Sequence, residues 1–250
     1  MKIYFLGTNG WHDTETGETP CILIDAKEAY VIFDAGNGVR KIDRYIEDGK
    51  KPIFLFLSHF HIDHISGLHM LLKFRYPQGI TILGQPGTEK ILDVFMNKPF
   101  TASLEQVNKK MRVDVRELKE GKHDIGIKVK CKYLVHADPC FGYRIGLEEK
   151  TITYCTDTGV CDAIVELGKN ADLFITECAW KERNQMPSWP HLAPEDAAEM
   201  AKQANAKQLA LTHFDALQYT SKEERKIAET KAQKIFPKTR AMFDDDCLEI

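Results

Sequence analysis

Ile53-Phe54-Leu55-Phe56-Leu57-Ser58-His59-Phe60-His61-Ile62-Asp63-His64 is the stretch whose reading decides the fold. Five apolar residues in a row behind Pro52 predict a strand buried on both faces. After Ser58, four side chains able to bind metal arrive within six positions. Ile65 to Leu72 then carries apolar residues at helical spacing, so the cluster is expected in a strand-to-helix loop. That is where α/β sheets place their chemistry, beyond the carboxyl ends of the strands. His59 and His61 alternate around Phe60, so in extended chain both imidazoles can point the same way. Asp63 and His64 come a turn later and can aim at a second point nearby. The spacing suits two metal ions better than one. A structural zinc site would favour C-x-x-C pairs, and no C-x-x-C occurs in the chain.

The 250 residues are 43% hydrophobic, enough for one large core or two small ones, and a layered α/β fold of this length is expected as one domain over 1–250. With 34 basic and 37 acidic residues the net charge is −3. No overall basic field is therefore available to hold long nucleic acid non-specifically. Seven cysteines, odd in number and scattered over strand-like segments, point to reduced thiols in a cytoplasmic setting. Met1 leads into Lys2 and a short strand, so no signal peptide is expected. The longest apolar runs have strand length, too short to span a membrane.

Working outward, strands are expected at Lys2–Leu6, Cys21–Asp25, Tyr30–Phe33 and Ile80–Leu83. Residues 11–20 read as an exposed loop. Asp34-Ala35-Gly36-Asn37-Gly38 turns the chain into a helix from Val39 to Ile46, and Gly87–Met96 and Leu104–Met111 read as further helices. Arg112–Leu118 and Ile125–Val135 alternate as half-exposed antiparallel strands do. Phe141–Leu147 and Thr151–Cys155 form a hairpin, followed by a helix at Val160–Leu167 and a strand at Leu173–Thr176. Helix Pro194–Ala204, strand Gln208–Leu211, helix Lys222–Ile235 and strand Thr239–Met242 complete the order. Strands then helices, twice over, predict two β layers with helices outside: an α/β fold of αββα sandwich type.

Three more residues follow strand ends as His59 does: His136, Asp157 and His213. Singly, Asp157 reads equally well as a helix N-cap and the two histidines as ordinary loop residues. His12, His69 and His123 carry no such signal. With Phe33-Asp34-Ala35-Gly36-Asn37-Gly38, Leu134-Val135-His136, Tyr154-Cys155-Thr156-Asp157-Thr158-Gly159 and Leu211-Thr212-His213-Phe214, the Ser58–His64 cluster resembles the five ordered motifs of metallo-β-lactamase-fold hydrolases. Leu6-Gly7-Thr8, the Asp34-Ala35-Gly36 turn and Phe141-Gly142-Tyr143-Arg144-Ile145 are similar to the ribonuclease Z and phosphodiesterase branch.

That resemblance implies a dinuclear site, most simply zinc, with manganese or iron(II) compatible with the same donors. His59, His61 and His136 would bind one ion, Asp63, His64 and His213 the other, and Asp157 both. Two cations roughly 3.5–4 Å apart clamp a phosphate oxygen and stabilise a leaving alkoxide. Asp34 would orient a ligand imidazole. Thr176-Glu177-Cys178-Ala179 and His191-Leu192-Ala193 correspond to a Glu and a His that work together in proton transfer in that branch, though the flanking residues differ. Asp63, Glu177 and His191 are thus the implied catalytic residues. Ribonuclease Z enzymes hold tRNA with a long arm between the His136 and Asp157 motifs, where this chain has one tight hairpin. Small phosphodiesters such as cyclic nucleotides or cyclic sugar phosphates are therefore expected ahead of RNA. Alternatives are tRNA 3′-end cleavage, thioester or lactone hydrolysis, and a non-catalytic metal-stabilised or di-iron protein. A homodimer is an expectation by analogy alone.

Overall fold

The apolar runs pair into two seven-stranded sheets in a computed structural model that describes residues 1–46, 49, 51–183 and 188–250. The first sheet has the spatial order Asp246–Glu249, Lys2–Gly7, Cys21–Asp25, Tyr30–Phe33, Ile53–Phe56, Ile80–Gly84, Val113–Glu117. The second runs Thr239–Ala241, Leu209–Thr212, Leu173–Glu177, Lys150–Cys155, Phe141–Leu147, Lys128–Tyr133, Gly121–Asp124. Each sheet is antiparallel on one side and parallel on the other. Parallel neighbours end at the same edge. The residues following Phe33, Phe56, Cys155, Glu177 and Thr212 consequently emerge together, and these are the stretches that hold the candidate site.

Strand alternation divides the apolar side chains into three layers. Phe33 and Phe56 face Tyr143, Tyr154 and Ile175 across the space between the sheets. Ile32 and Leu55 point the other way, onto Leu68 and Leu92. Phe174 and Leu211 pack outward against Leu167, Ala201 and Ala228. Three apolar layers separate four structural ones, and the fold is the expected αββα sandwich.

Four local expectations need correction. The segment at Asn37–Arg44 is a 3₁₀ helix, and the one after the histidine cluster is a single α turn, Ile62–Ile65, continued as 3₁₀ over Ser66–Lys73. Close packing explains both. Ala35 donates to the His64 carbonyl and accepts from Gly67, each at 2.8 Å, and a Cβ on Gly67 would meet the Gly36 carbonyl oxygen at 2.3 Å. Val113–Glu117 pairs parallel, not antiparallel, with Ile80–Gly84. Its alternation comes from lying at a sheet edge with one face wet. Strands at Gly121–Asp124 and Asp246–Glu249 and the short pair Asn9–Gly10 with Phe214–Asp215 carry no sequence signal of their own and form by pairing alone.

Residues 11–20, expected to be exposed, are instead half buried, with Thr16, Gly17, Thr19 and Pro20 out of solvent. The turn at Gly36–Gly38 donates to the carbonyls of Pro20 and Thr19, and Arg225 on helix Lys222–Gln233 holds the loop from the other side. Its fully buried guanidinium donates to Thr8 Oγ1 at 2.7 Å, to Thr16 Oγ1 at 3.1 Å and to Asn9 Oδ1, and lies 4.7 Å from the centre of the Phe214 ring. Burial drives its pKa down to about 10, still charged at neutral pH. One cation thus ties the first loop to the last helix. Arg225→Met would remove the donor that Thr8 Oγ1, Thr16 Oγ1 and Asn9 Oδ1 share in a buried setting, and equilibrium urea unfolding should show a loss of about 3 kcal/mol.

Candidate metal centre

The strand Ile53–Phe56 ends beside Tyr30–Phe33, so Ser58 and His59 leave the sheet next to Asp34. Asp34 is fully buried and accepts from the Ser58 backbone N–H at 2.7 Å, Ser58 Oγ at 2.8 Å and Tyr154 OH at 2.7 Å. Its Oδ2 also meets His64 Nδ1 at 2.8 Å, which fixes that ring with Nε2 turned away. From the second sheet come Asp157, just beyond Cys155, and His213, just beyond Thr212. Asp34, Asp157 and His213 all have left-handed backbone, φ 56°, 51° and 51°. That conformation is rare outside glycine and clusters at functional sites.

All seven expected donors converge. His59, His61, His136 and Asp157 form one group and Asp63, His64 and His213 another, with the donor atoms in each within 4.8 Å of one another. Asp157 faces both. Its Oδ2 lies 3.1 Å from His64 Nε2 and 3.2 Å from His213 Nε2, and its Oδ1 lies 4.0 Å from His59 Nε2. His64 Nε2 and His213 Nε2 are 3.1 Å apart, His136 Nε2 and His61 Nδ1 3.3 Å. The N-cap alternative for Asp157 falls away, because the following helix is preceded by Cys161.

The local electrostatics are those of a site built for positive charge. Burial alone would raise the Asp63 and Asp157 carboxyls, but the surrounding imidazoles outweigh it and hold both well below the ordinary range. Burial would lower His64 and His213, and the carboxylates reverse it and hold both raised. His59 is held low by burial and by His64, so it offers a neutral ring. Its buried Nε2 has no hydrogen-bond partner, while Nδ1 lies 3.0 Å from Ser58 Oγ. A buried nitrogen without a hydrogen-bond partner among the described residues, grouped with a carboxylate and two other imidazoles, is what a ligating histidine looks like. The residues therefore fit two divalent cations, and nitrogen with carboxylate oxygen suits zinc while admitting manganese or iron(II).

Glu177 and His191 also meet. Glu177 is buried at the end of Leu173–Glu177 and takes N–H groups from Thr158 at 2.6 Å and from Ala179 and Leu192 at 3.2 Å. The His191 Nδ1 lies 2.8 Å from Glu177 Oε1, and the ring lines the cleft. Burial would lower the His191 pKa, but Glu177 outweighs it and pushes it up to about 9. His12, His69 and His123 stand outside the site.

Several contributors were not foreseen. Asp138 Oδ2 sits 2.9 Å from His61 Nε2, leaving Nδ1 for the site. The Trp11 backbone N–H donates to Asp63 Oδ2 at 2.9 Å. Gly10 lies so close to His213 that a Cβ there would come within 2.5 Å of the ring. Trp189 stacks on His61, ring centres 5.5 Å apart at 8°. None has a sequence signal, since each contact joins distant segments.

Residues 29–214 match the model of the beta-lactamase superfamily domain. The chain belongs to the beta-lactamase superfamily. Among relatives of this superfamily member, Ribonuclease Z of Enterococcus faecalis is 28% identical over 313 residues, covering 100% of this chain and 97% of the relative. Among solved structures, the metallo-beta-lactamase fold protein YhfI from Bacillus subtilis aligns over 100% of this chain and 98% of its own, at 20% identity and a TM-score of 0.82. A diphosphatase from the PhnP family aligns over 100% and 97% at 17% identity and a TM-score of 0.73. As its family and donors require, this superfamily member is a metal-dependent hydrolase.

Protons on His64 and His213 and divalent cations are alternative ways of balancing Asp63 and Asp157, so cation uptake should expel protons. Titration calorimetry of chelator-treated protein with zinc in buffers of differing ionisation enthalpy should report that release, with two ions bound per chain. Asp157→Ala should cut the stoichiometry to one or fewer.

Proposed function

We propose that residues 1–250 form one catalytic domain that hydrolyses small phosphodiesters, such as cyclic nucleotides or cyclic sugar phosphates, using two divalent cations, most simply zinc. The observation that carries this reading is the placing of Asp157, with one carboxylate oxygen toward each donor group. A pair of cations held there would polarise a phosphoryl oxygen and supply a nucleophile at neutral pH. The chain's own residues set the rest. Asp34 and Asp138 orient two of the imidazoles, and the Trp11 N–H holds Asp63. His191, braced by Glu177 and cationic at neutral pH, presents its remaining nitrogen to the cleft as a proton donor for a departing oxygen.

Three features support a small substrate. The interval between His136 and Asp157 is filled by the hairpin of Phe141–Leu147 and Lys150–Cys155, closed by the two residues Glu148 and Glu149 with positive φ. The alignment to the Enterococcus relative runs to 313 residues against 250 in this chain, so that relative carries stretches without a counterpart here. Among the described residues, no lysine or arginine lines the cleft. A second reading, cleavage of tRNA precursors, is favoured by the relatives named Ribonuclease Z.

A panel of cyclic phosphodiesters and one tRNA precursor, assayed with zinc and with manganese, tests the two. Faster turnover of the precursor than of every small diester would overturn the small-substrate reading. His191→Ala should slow diesters with alkyl leaving groups about 10²–10⁴-fold. It should cost far less with bis(p-nitrophenyl) phosphate, whose leaving group needs no proton. Because the His191 pKa is raised, its proton is present at neutral pH and lost on the alkaline side. For alkyl diesters kcat/KM should therefore fall as pH rises toward 9, and Glu177→Gln should move that fall to lower pH.

A further inference from the structure

We propose that Trp11 and Trp189 form an aromatic corner for a nucleobase, so that the preferred diester is a nucleoside phosphodiester rather than a sugar phosphate. This rests on the phosphodiester reading above and narrows it. Both indoles line the metal cleft, a space of about 290 Å³ that also reaches Asp63, Asp157, His191 and His213. Their ring centres are 6.4 Å apart at 64°. A flat ring can lie on the face of one and meet the edge of the other, the two arrangements that aromatic quadrupoles favour.

Exposure and strain make this more than a chance pair. Trp11 is 59% exposed and its neighbour in the cleft wall, Ile62, is 65% exposed, so the mouth of a polar site is rimmed with apolar surface. Trp11 has φ 74°, a left-handed conformation that is costly for a bulky residue and needs outside support. Its N–H on Asp63 Oδ2 supplies that support, and Gly10 before it packs against His213. The loop that steadies the donors therefore also delivers an indole to the cleft. On the other side, Trp189 lies flat on His61.

Charge decides between the two kinds of diester. A sugar phosphate carrying a further phosphate would need a cationic partner beyond the metal centre. Among the described residues, the cleft wall offers only the carboxylate of Asp215, the indoles and small or apolar groups outside the donors and His191. A neutral base beside a single phosphodiester matches that wall. Stacking of one base on such a platform is worth about tenfold in affinity or more.

The test compares probes that differ only in the base. Adenosine 5′-monophosphate and ribose 5-phosphate are titrated into zinc-loaded protein, read by tryptophan fluorescence and calorimetry. Adenosine 2′,3′-cyclic phosphate and methyl riboside 2,3-cyclic phosphate are compared as substrates. We expect the adenosine probes to bind about tenfold tighter or better and to show the lower KM. In Trp11→Ala and Trp189→Ala that ratio should collapse toward one, and Trp11→Phe and Trp189→Phe should restore most of it. Equal affinity for both probes in the wild type, or a ratio untouched by either alanine, would overturn the corner while hydrolysis of both cyclic substrates kept the phosphodiester reading. A base preference abolished by the alanines, in a protein that cleaves no diester, would uphold the corner and overturn the reaction.

Discussion

The site depends on one buried carboxylate. Asp34 sits where the two sheets meet, takes hydrogen bonds from the backbone and hydroxyl of Ser58 on its own sheet and from Tyr154 OH on the other, and faces His64 Nδ1. An isolated carboxylate out of water would be expelled or neutralised. Four partners remove that penalty, and because they come from the 58–64 stretch of one sheet and from Tyr154 of the other they also tie the two sheets together. Phe33 stacks on Tyr154 with ring centres 4.7 Å apart, and Tyr143 OH donates to the Leu57 carbonyl at 2.6 Å. The floor of the cleft is therefore polar and tied to both sheets at once. With His64 Nδ1 engaged there, Nε2 can only face Asp157 and His213.

Geometry of this kind is maintained against local backbone preference. Asp34, Asp157, His213 and Trp11 all hold left-handed conformations that cost a non-glycine residue about 1–2 kcal/mol each. Three of them meet a contact from elsewhere: Asp34 its four partners, Trp11 the carboxylate of Asp63, and His213 the close approach of Gly10. Arg225 supports the same corner from behind, since the loop it holds pairs with Phe214 and Asp215. The packed apolar layers supply the stability against which this strain is held.

These facts also explain how much of the protein can be read from its sequence. Strand Ile53–Phe56 and the donors His59, His61, Asp63 and His64 are local, because a continuous apolar run and a dense donor cluster are visible in any window. His136, Asp157 and His213 become legible only as residues that follow strands. Strands running in the same direction bring their carboxyl ends to one edge whether they are parallel neighbours, as for Asp157 and His213, or separated by an antiparallel strand, as for His136. Pairing direction is not legible at an edge such as Val113–Glu117, where alternation reports exposure and nothing else. Nor is helix type where a glycine packs against backbone, as Gly67 does. Asp138, Trp11, Trp189 and Arg225 escape a one-dimensional reading because each acts across a long separation in the chain. The three-dimensional fold creates their partners.

The absence of lysine and arginine from the described cleft wall bears on selectivity. Affinity for long nucleic acid comes mainly from cations along its backbone and fades with salt. On the proposed reading, charge attraction in this cleft is confined to the metal centre and His191, so successive phosphates of a polymer would find no further partners there. Two cations held by Asp63 and Asp157 would be shielded from bulk ions by burial, which would weaken screening. Recognition would then rest on one phosphodiester at the floor and apolar contact at the rim. A net charge of −3 adds a mild repulsion toward polyanions. The donor set therefore determines what chemistry is available, and the cleft wall determines how much of a substrate can be held.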